Sequence, residues 1–469
     1  MNKKSKYLGL ILLAITGCVS AINQLHYFKL DSYKQDVNFW VNSSLSNYTS
    51  DLMSKQNQAN HFTLLKQTYF GVDDSELSPW SKKYFDKMKL SQKFPLFVAN
   101  QFKEFDNTLR AESDQGYGIN LTNYAPKWLN QMRANVDFGG LSNLKYQSHN
   151  RAIVTTNTNL KLLPTNDPFY IRYNAPGYGY PFDMSQQSAL YVGEPVYIVS
   201  YSLDKRYALV ATLSNLGWVN ANDLALVNPL FITKWHNIAN RSIGVVTKVN
   251  TPILSKKSGG FLFDAYVGMM FPLIKEKDSK SVIIVPVRDR DGMAEMASAI
   301  VANNEIALAP LAITPQNIGV ILQQLEGRPY SWGGVGFYND CSAEMRQLFS
   351  AFGIWLPRDS FQQAQVGISV ANLENLTPKD RYDYVMKHVK PFLSLIYING
   401  HIMLYIGNYI VDGQLVPVVY QNVWGMRPRN VDDRELVGKS IFMPLLLTYP
   451  NSPEIKSHLE AKQFQIVNL

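Results

Sequence analysis

The sequence predicts an α+β protein built of several units: a helical N-terminal region, two small β-barrels, and a mixed C-terminal domain. Three observations predict this. The 469 residues suggest about three domains at roughly 150 residues each. From Ala152 the chain turns into short alternating or β-branched runs separated by turn clusters. From Pro315 helical apolar spacing precedes three β runs.

In chain order, a basic tip (Lys3, Lys4, Lys6) precedes the apolar run 7–15, which is too short to cross a bilayer as a helix. The run ends in Ile15-Thr16-Gly17-Cys18, which resembles the lipobox of bacterial lipoproteins. Residues 1–17 are then expected to be a signal peptide and Cys18 the lipidated residue that anchors the chain to a membrane. An ordinary cleaved signal with an incidental cysteine is the competing reading. Val19, where an Asp would favour the inner membrane, points to an outer-membrane lipoprotein facing the periplasm. Of the two cysteines, Cys341 is left without a partner if Cys18 carries lipid. A lone thiol in an oxidising compartment is a liability unless it is used.

Hydrophobic residues at 46% supply enough apolar mass for several cores. Without the three leader lysines the formal charge falls from +8 to +5, and no run of five Lys/Arg occurs, so nucleic acid is not expected as a partner. The excess reads first as a solvated surface and second as mild attraction to anionic lipid or wall polymer.

Residues 18–148 are expected to form a helical cap, with helical stretches at 36–52 and Pro126–Ala134 and a turn at 73–80 that buries Trp80. Residues 149–239 and 240–312 are expected to form the two barrels. The first has strands at 152–156, 190–200, 207–213 and 217–219, the second at 243–248, 265–270 and 282–287. Leu160-Lys161-Leu162-Leu163-Pro164 and the closing run Gly217-Trp218-Val219 resemble bacterial SH3-like domains.

Residues 313–448 are expected to form the last domain and 449–469 a C-terminal tail. Pro315–Leu325 has amphipathic spacing, and Met345, Leu348, Phe349 and Phe352 form one helical face that Gly353 is placed to end. The β runs are 392–398, 401–407 and 415–421, the first two joined by Asn399-Gly400, the strongest short hairpin signal.

The chemistry concentrates at Asn339-Asp340-Cys341, where a glycine-containing loop enters a helix. A cysteine in a first helical turn faces unpaired N–H groups and the positive end of the dipole, both of which favour thiolate. Asp340 opposes that charge, so a basic partner is needed. His401 opens a strand just after the Asn-Gly turn and is the best base among seven histidines; His388, in a Lys-flanked polar stretch, is the competitor. Gln421 ends the third run and can accept the His401 Nδ1–H, leaving Nε2 toward sulfur. Asn422 is the alternative, on the other face of the strand.

Taken with Pro329-Tyr330-Ser331-Trp332-Gly333-Gly334, Asp340-Cys341-Ser342, Leu356-Pro357-Arg358-Asp359-Ser360 and the strand from His401 to Gly407, residues 326–427 resemble the catalytic domain of NlpC-type cell-wall cysteine peptidases. The resemblance implies a papain-like α+β fold and cleavage of the γ-D-glutamyl-diamino acid bond of peptidoglycan stem peptides, with substrates bearing a free N-terminal L-alanine preferred. It implies Cys341 as nucleophile, His401 as base and Gln421 as orienter. Tyr330 would help hold the thiolate and oxyanion region, and Asp340 and Ser342 would bind the alanine ammonium. Arg358 would meet a substrate carboxylate or, equally, form a structural ion pair.

This sequence departs from the family at Gln421, where His is more usual, and at Ala343, where Gly is. The wide spacing between His401 and Gln421 predicts a loop at 408–414, and Pro417 predicts an irregular strand edge. No cofactor or metal is expected, and the chain is expected to act as a monomer. The other function classes are a non-catalytic wall-binding scaffold and an acyltransferase using the same thiol.

Overall fold

The structure, a computed structural model, describes residues 26–71, 75–142, 144–173, 175–277, 279–430 and 433–469. The leader and Cys18 lie outside the described residues. Among those described, no helix is long and apolar enough to cross a membrane.

The N-terminal region is helical at Lys55–Tyr69, Lys82–Lys87, Leu90–Glu104 and Pro126–Ala134. The helix expected over 36–52 is cut to Val37–Trp40. The Asn42 carboxamide accepts from both the N–H and the hydroxyl of Ser44, a local bond that competes with helix. This region is less a separate cap than a brace. Trp40 packs on Tyr409 and Phe442 of the last domain. From the Lys55–Tyr69 helix, Gln58 Nε2 donates to the carbonyl of Phe352 (2.9 Å). Trp80, buried as expected, donates Nε1–H to the Ala152 carbonyl (2.6 Å).

Seven strands form the first barrel: β1 (Arg151–Val154), β2 (Thr158–Lys161), β3 (Gln186–Leu190), β4 (Pro195–Tyr201), β5 (Tyr207–Ala211), β6 (Leu216–Asn220) and β7 (Leu224–Leu226). Their order is β3-β2-β6-β5-β4-β1-β7. Seven more follow: β8 (Ile243–Val246), β9 (Thr251–Ser255), β10 (Phe261–Ala265), β11 (Met270–Lys277), β12 (Lys280–Arg288), β13 (Ala294–Ala302) and β14 (Ile306–Leu308). Their order, β10-β9-β13-β12-β11-β8-β14, repeats the first one strand for strand. The two units therefore share one topology.

The run 265–270, expected as a strand, is instead the turn between β10 and β11. Gly268 there has φ +81°, and a Cβ on it would stand 2.4 Å from the Gln347 carbonyl oxygen. The second barrel thus rests this turn on the Cys341 helix, a close approach that only glycine allows.

The last domain sets helices Pro315–Leu325, Cys341–Ser350 and Pro378–His388 against a six-stranded antiparallel sheet. Its strands are β15 (Ser369–Asn372), β16 (Ser394–Ile398), β17 (His401–Val411), β18 (Gln414–Met426), β19 (Glu435–Pro444) and β20 (Phe464–Asn468), in the order β15-β20-β16-β17-β18-β19. Two expectations are corrected here. Residues 449–469 are not a tail, because β20 pairs with both β15 and β16 inside the sheet and Phe464, Ile466 and Val467 are buried. Nor is there a loop over 408–414. β17 and β18 continue to a tight turn at Asp412-Gly413, both at positive φ (49° and 78°), the geometry of a two-residue hairpin. The wide His401 to Gln421 spacing is taken up by longer strands, with a register shift between Tyr405 and Gly407 opposite Val419 and Val418; Pro417 faces Asn408 within the pairing.

Candidate active site

Asp340 caps the Cys341–Ser350 helix, its carboxylate accepting from the Ala343 N–H (2.9 Å). Cys341 therefore occupies the first helical position, buried at 7% exposure. The Ile402 N–H donates to its sulfur, so the thiol lies against the first residues of β17. His401 is the residue before Ile402, placed there by the Asn399-Gly400 turn, with Gly400 at φ +71°.

His401 Nε2 lies 2.6 Å from Gln421 Oε1. Gln421 is fully buried, and its Nε2 donates to Met443 Sδ. Asn422 points the other way, donating to Glu344 and to the Asn339 carbonyl. The geometry differs from the expectation at one point: Gln421 meets Nε2 and not Nδ1. His388, itself exposed, ends the Pro378–His388 helix with its ring against Tyr384.

Charge is distributed differently from the sequence-based expectation. Burial pushes the Cys341 thiol up to about 12, with Asp340 adding to the rise; the Ile402 N–H and the Arg358 charge only partly oppose it. The His401 imidazole is pushed down to about 4 by burial, against the bond to Gln421. Near neutral pH the resting pair is thus thiol and neutral imidazole, because desolvation outweighs the helix end.

Of the two expectations for Arg358, the structure forms the ion pair. Arg358 is 5% exposed, and its guanidinium grips Asp340 through two nitrogens (2.7 and 3.0 Å) while bonding the hydroxyls of Ser342 and of Ser188 in the first barrel. Asp340 spends its oxygens on Arg358, Ser342 and the N–H groups of Ala343 and Gly333. Arg358 and these bonds hold its carboxyl below the usual range, against burial. Any ammonium at this position would meet an already shared carboxylate. Tyr330 is half-buried, packed between Phe182 of the first barrel and Trp424. Burial, then Asp340 and Cys341, raise its hydroxyl well above the usual phenol range. Tyr330 and Trp424 line a cleft of about 620 Å³ between the first barrel and the last domain, with Tyr170, Tyr180 and Asp183 opposite.

Sequence reasoning missed three residues here. Glu344 is fully buried and accepts from Tyr420 Oη, Ser440 Oγ, Asn422 Nδ2 and Asn339 Nδ2, tying the Cys341 helix to the strand that carries Gln421. A carboxylate three residues after the cysteine was its one sequence signal. The His458 ring lies 5.8 Å from that of His401, and Arg434 exerts its charge on His401, His458 and Tyr330. Neither belongs to a motif. His458 came from the stretch expected to be a tail.

Against known proteins, the NlpC/P60 family model matches residues 327–411 and the SH3 domain (SH3b1 type) model matches residues 168–220. The chain carries an NlpC/P60 domain. A solved NlpC/P60 endopeptidase from Photobacterium damselae subsp. piscicida superimposes with a TM-score of 0.78 at 24% identity, over 93% of this chain and 97% of that one; the likeness shows a shared fold across all units. An NlpC/P60 family protein from Bacillus cereus covers 66% of this chain at a TM-score of 0.43. A gamma-D-glutamyl-L-lysine dipeptidyl-peptidase of Bacillus subtilis is 28% identical over 157 residues, which is 33% of this chain and 41% of that protein. The match thus spans about two fifths of the relative's length. The NlpC/P60 match covers the loop, the Cys341 helix and β17, but stops before Gln421.

Two expected results follow from the NlpC/P60 site. Replacing Gln421 with Ala should lower kcat by about 10- to 100-fold with little change in KM, since the imidazole loses its orientation and not its substrate. Gln421→His, which keeps a ring nitrogen toward His401, should retain most of the rate. Steady-state kinetics on a stem peptide decide it, and an unchanged kcat in Gln421→Ala would remove Gln421 from the site.

The acid limb of kcat/KM should lie near the lowered His401 value of about 4 and not near the ordinary value of about 6.5. The sign for folding agrees. Between these values the unfolded chain binds a proton that the folded one refuses, so His401 stabilises the fold fully above about 6.5 and loses that contribution as pH falls to about 4. A pH–rate profile with its limb near 6.5 would contradict the burial argument.

Proposed function

We propose that this protein is a cysteine peptidase that hydrolyses the γ-D-glutamyl-diamino acid bond of peptidoglycan stem peptides, preferring those with a free N-terminal L-alanine. The observation that carries the reading is the arrangement of Cys341 at a capped helix start, against β17, with the imidazole of His401 held by Gln421 at 2.6 Å. His401 Nδ1 takes the thiol proton as sulfur attacks the γ-glutamyl carbonyl. The same nitrogen returns the proton to the departing amine, and water then releases the acyl group. Because both groups rest neutral, charge separates only as substrate fills the site. The Ile402 N–H and the Tyr330 hydroxyl are the nearby donors.

The first barrel forms one wall of the cleft beside Tyr330, and the narrowing supports short, released peptides as substrates. The distant relative's name, a gamma-D-glutamyl-L-lysine dipeptidyl-peptidase, supports the bond. We further propose that the chain is held at the cell envelope by lipid on Cys18, testable by labelling with a radioactive fatty acid in the parent and in Cys18→Ala. The function itself is tested by digesting defined tripeptides with and without a free N-terminal alanine. Release of L-Ala-γ-D-Glu from the free form alone is expected; release from neither form overturns the reading.

A further inference from the structure

With Arg358 committed to Asp340, a different cation must meet the negative charge of an acidic stem peptide. We propose that Arg434 binds a substrate carboxylate beside the scissile bond and thereby selects acidic over amidated peptides. This rests on the reading of the site as a stem-peptide hydrolase.

Arg434 immediately precedes β19 and is half-buried. Its Cβ lies 3.5 Å from where a Cβ on Gly425 would be, next to Trp424 of the cleft wall. Its Nη2 lies 3.6 Å from the corresponding point on Gly177, across in the first barrel. The side chain therefore reaches from β18 to the barrel, the same two units bridged by the aromatic group of Phe182, Tyr330 and Trp424, whose ring centroids are 5.7 to 6.3 Å apart.

From this position its charge adds to the burial that depresses the imidazoles of both His401 and His458 and offsets a small part of the rise of the Tyr330 hydroxyl, so it stands within electrostatic reach of the reacting atoms. The His458 ring flanks His401, and its Nε2 is buried with no hydrogen-bond partner among the described residues. A guanidinium carries five N–H donors in a planar fork, so it can grip a carboxylate while keeping another partner. The γ-linked glutamate leaves its α-carboxylate free, and the diamino acid carries another on the far side of the scissile bond. Both present the chemistry Arg434 fits.

The test compares the full chain with Arg434→Gln and Arg434→Lys on three tripeptides: fully acidic, amidated at the D-glutamate α-carboxyl, and amidated at the diamino acid carboxyl. For the parent, kcat/KM should fall about 10- to 100-fold on one amidated peptide, the worth of a charge-assisted hydrogen bond; which peptide suffers identifies the carboxylate. In Arg434→Gln that ratio should collapse to near one, and Arg434→Lys should keep part of it. A parent indifferent to amidation, or an Arg434→Gln enzyme that keeps the parent's ratio while losing rate on all peptides alike, overturns the proposal. A parent that cleaves none of the three peptides overturns the hydrolase reading itself.

Discussion

Cys341→Ala is expected to abolish peptide release, with a loss on the order of 10⁶ in kcat, as when the nucleophile of an acyl-transfer enzyme is removed. The thiol supplies the only attacking atom in the proposed chemistry, and neither Gln421 nor His401 can replace it. The fold should barely notice. The sulfur accepts from two backbone N–H groups, those of Ile402 and Ser342, so the cost should stay within about 1–3 kcal/mol. Mass-spectrometric product analysis beside a thermal melt separates the two effects. A Cys341→Ala chain that still releases product would end the thiol mechanism. A parent that binds stem peptides without cleaving them would instead favour the scaffold reading. An acyltransferase would be recognised by added amines appearing in the product.

Arg358→Ala should be the most destabilising single change near the site, by about 3–5 kcal/mol, because it strands the Asp340 carboxylate in a buried setting. Asp340 and Arg358 are 7% and 5% exposed, and the arginine also ties Ser342 to Ser188 of the first barrel. Adding Asp340→Asn to Arg358→Ala should recover part of the loss, since a neutral amide removes the unpaired charge. Denaturant midpoints of the single and double variants decide this. If Arg358→Ala melts within about 0.5 kcal/mol of the parent, the pair is not the buried clamp its geometry describes.

Local signals in the sequence were enough for the elements that carry the chemistry. The Asn399-Gly400 turn and strict alternation put His401 at a strand start and sent Gln421 and Asn422 to opposite faces, because both are properties of two-residue turns and pleated backbone. The helix after Asp340 was legible from its cap and apolar face. Pro126–Ala134 formed as expected, whereas 36–52 did not, since short polar side chains there bond nearby backbone.

What the local pattern could not carry was everything decided between distant segments. β20 was misread as a tail because edge-to-interior placement in a sheet depends on partners some 70 residues away in sequence, such as Ser394 opposite Asn468. The two barrels declare themselves as short strands, but their common order is a matter of pairing.

The amino-acid sequence by itself determined the candidate groups for the proposed chemistry: a thiol at a helix start, an imidazole at a strand start and a carboxamide on the next strand, all set by rules that act over a few residues. Tertiary structure alone decided the charge those atoms carry and the company they keep. Desolvation in the packed interior leaves the thiol and imidazole neutral at rest. Arg358 is paired with Asp340, and the charge of Arg434 reaches His401 from a loop no motif marks. Burial and electrostatic fields are sums over neighbours in space, and no window along the chain contains them.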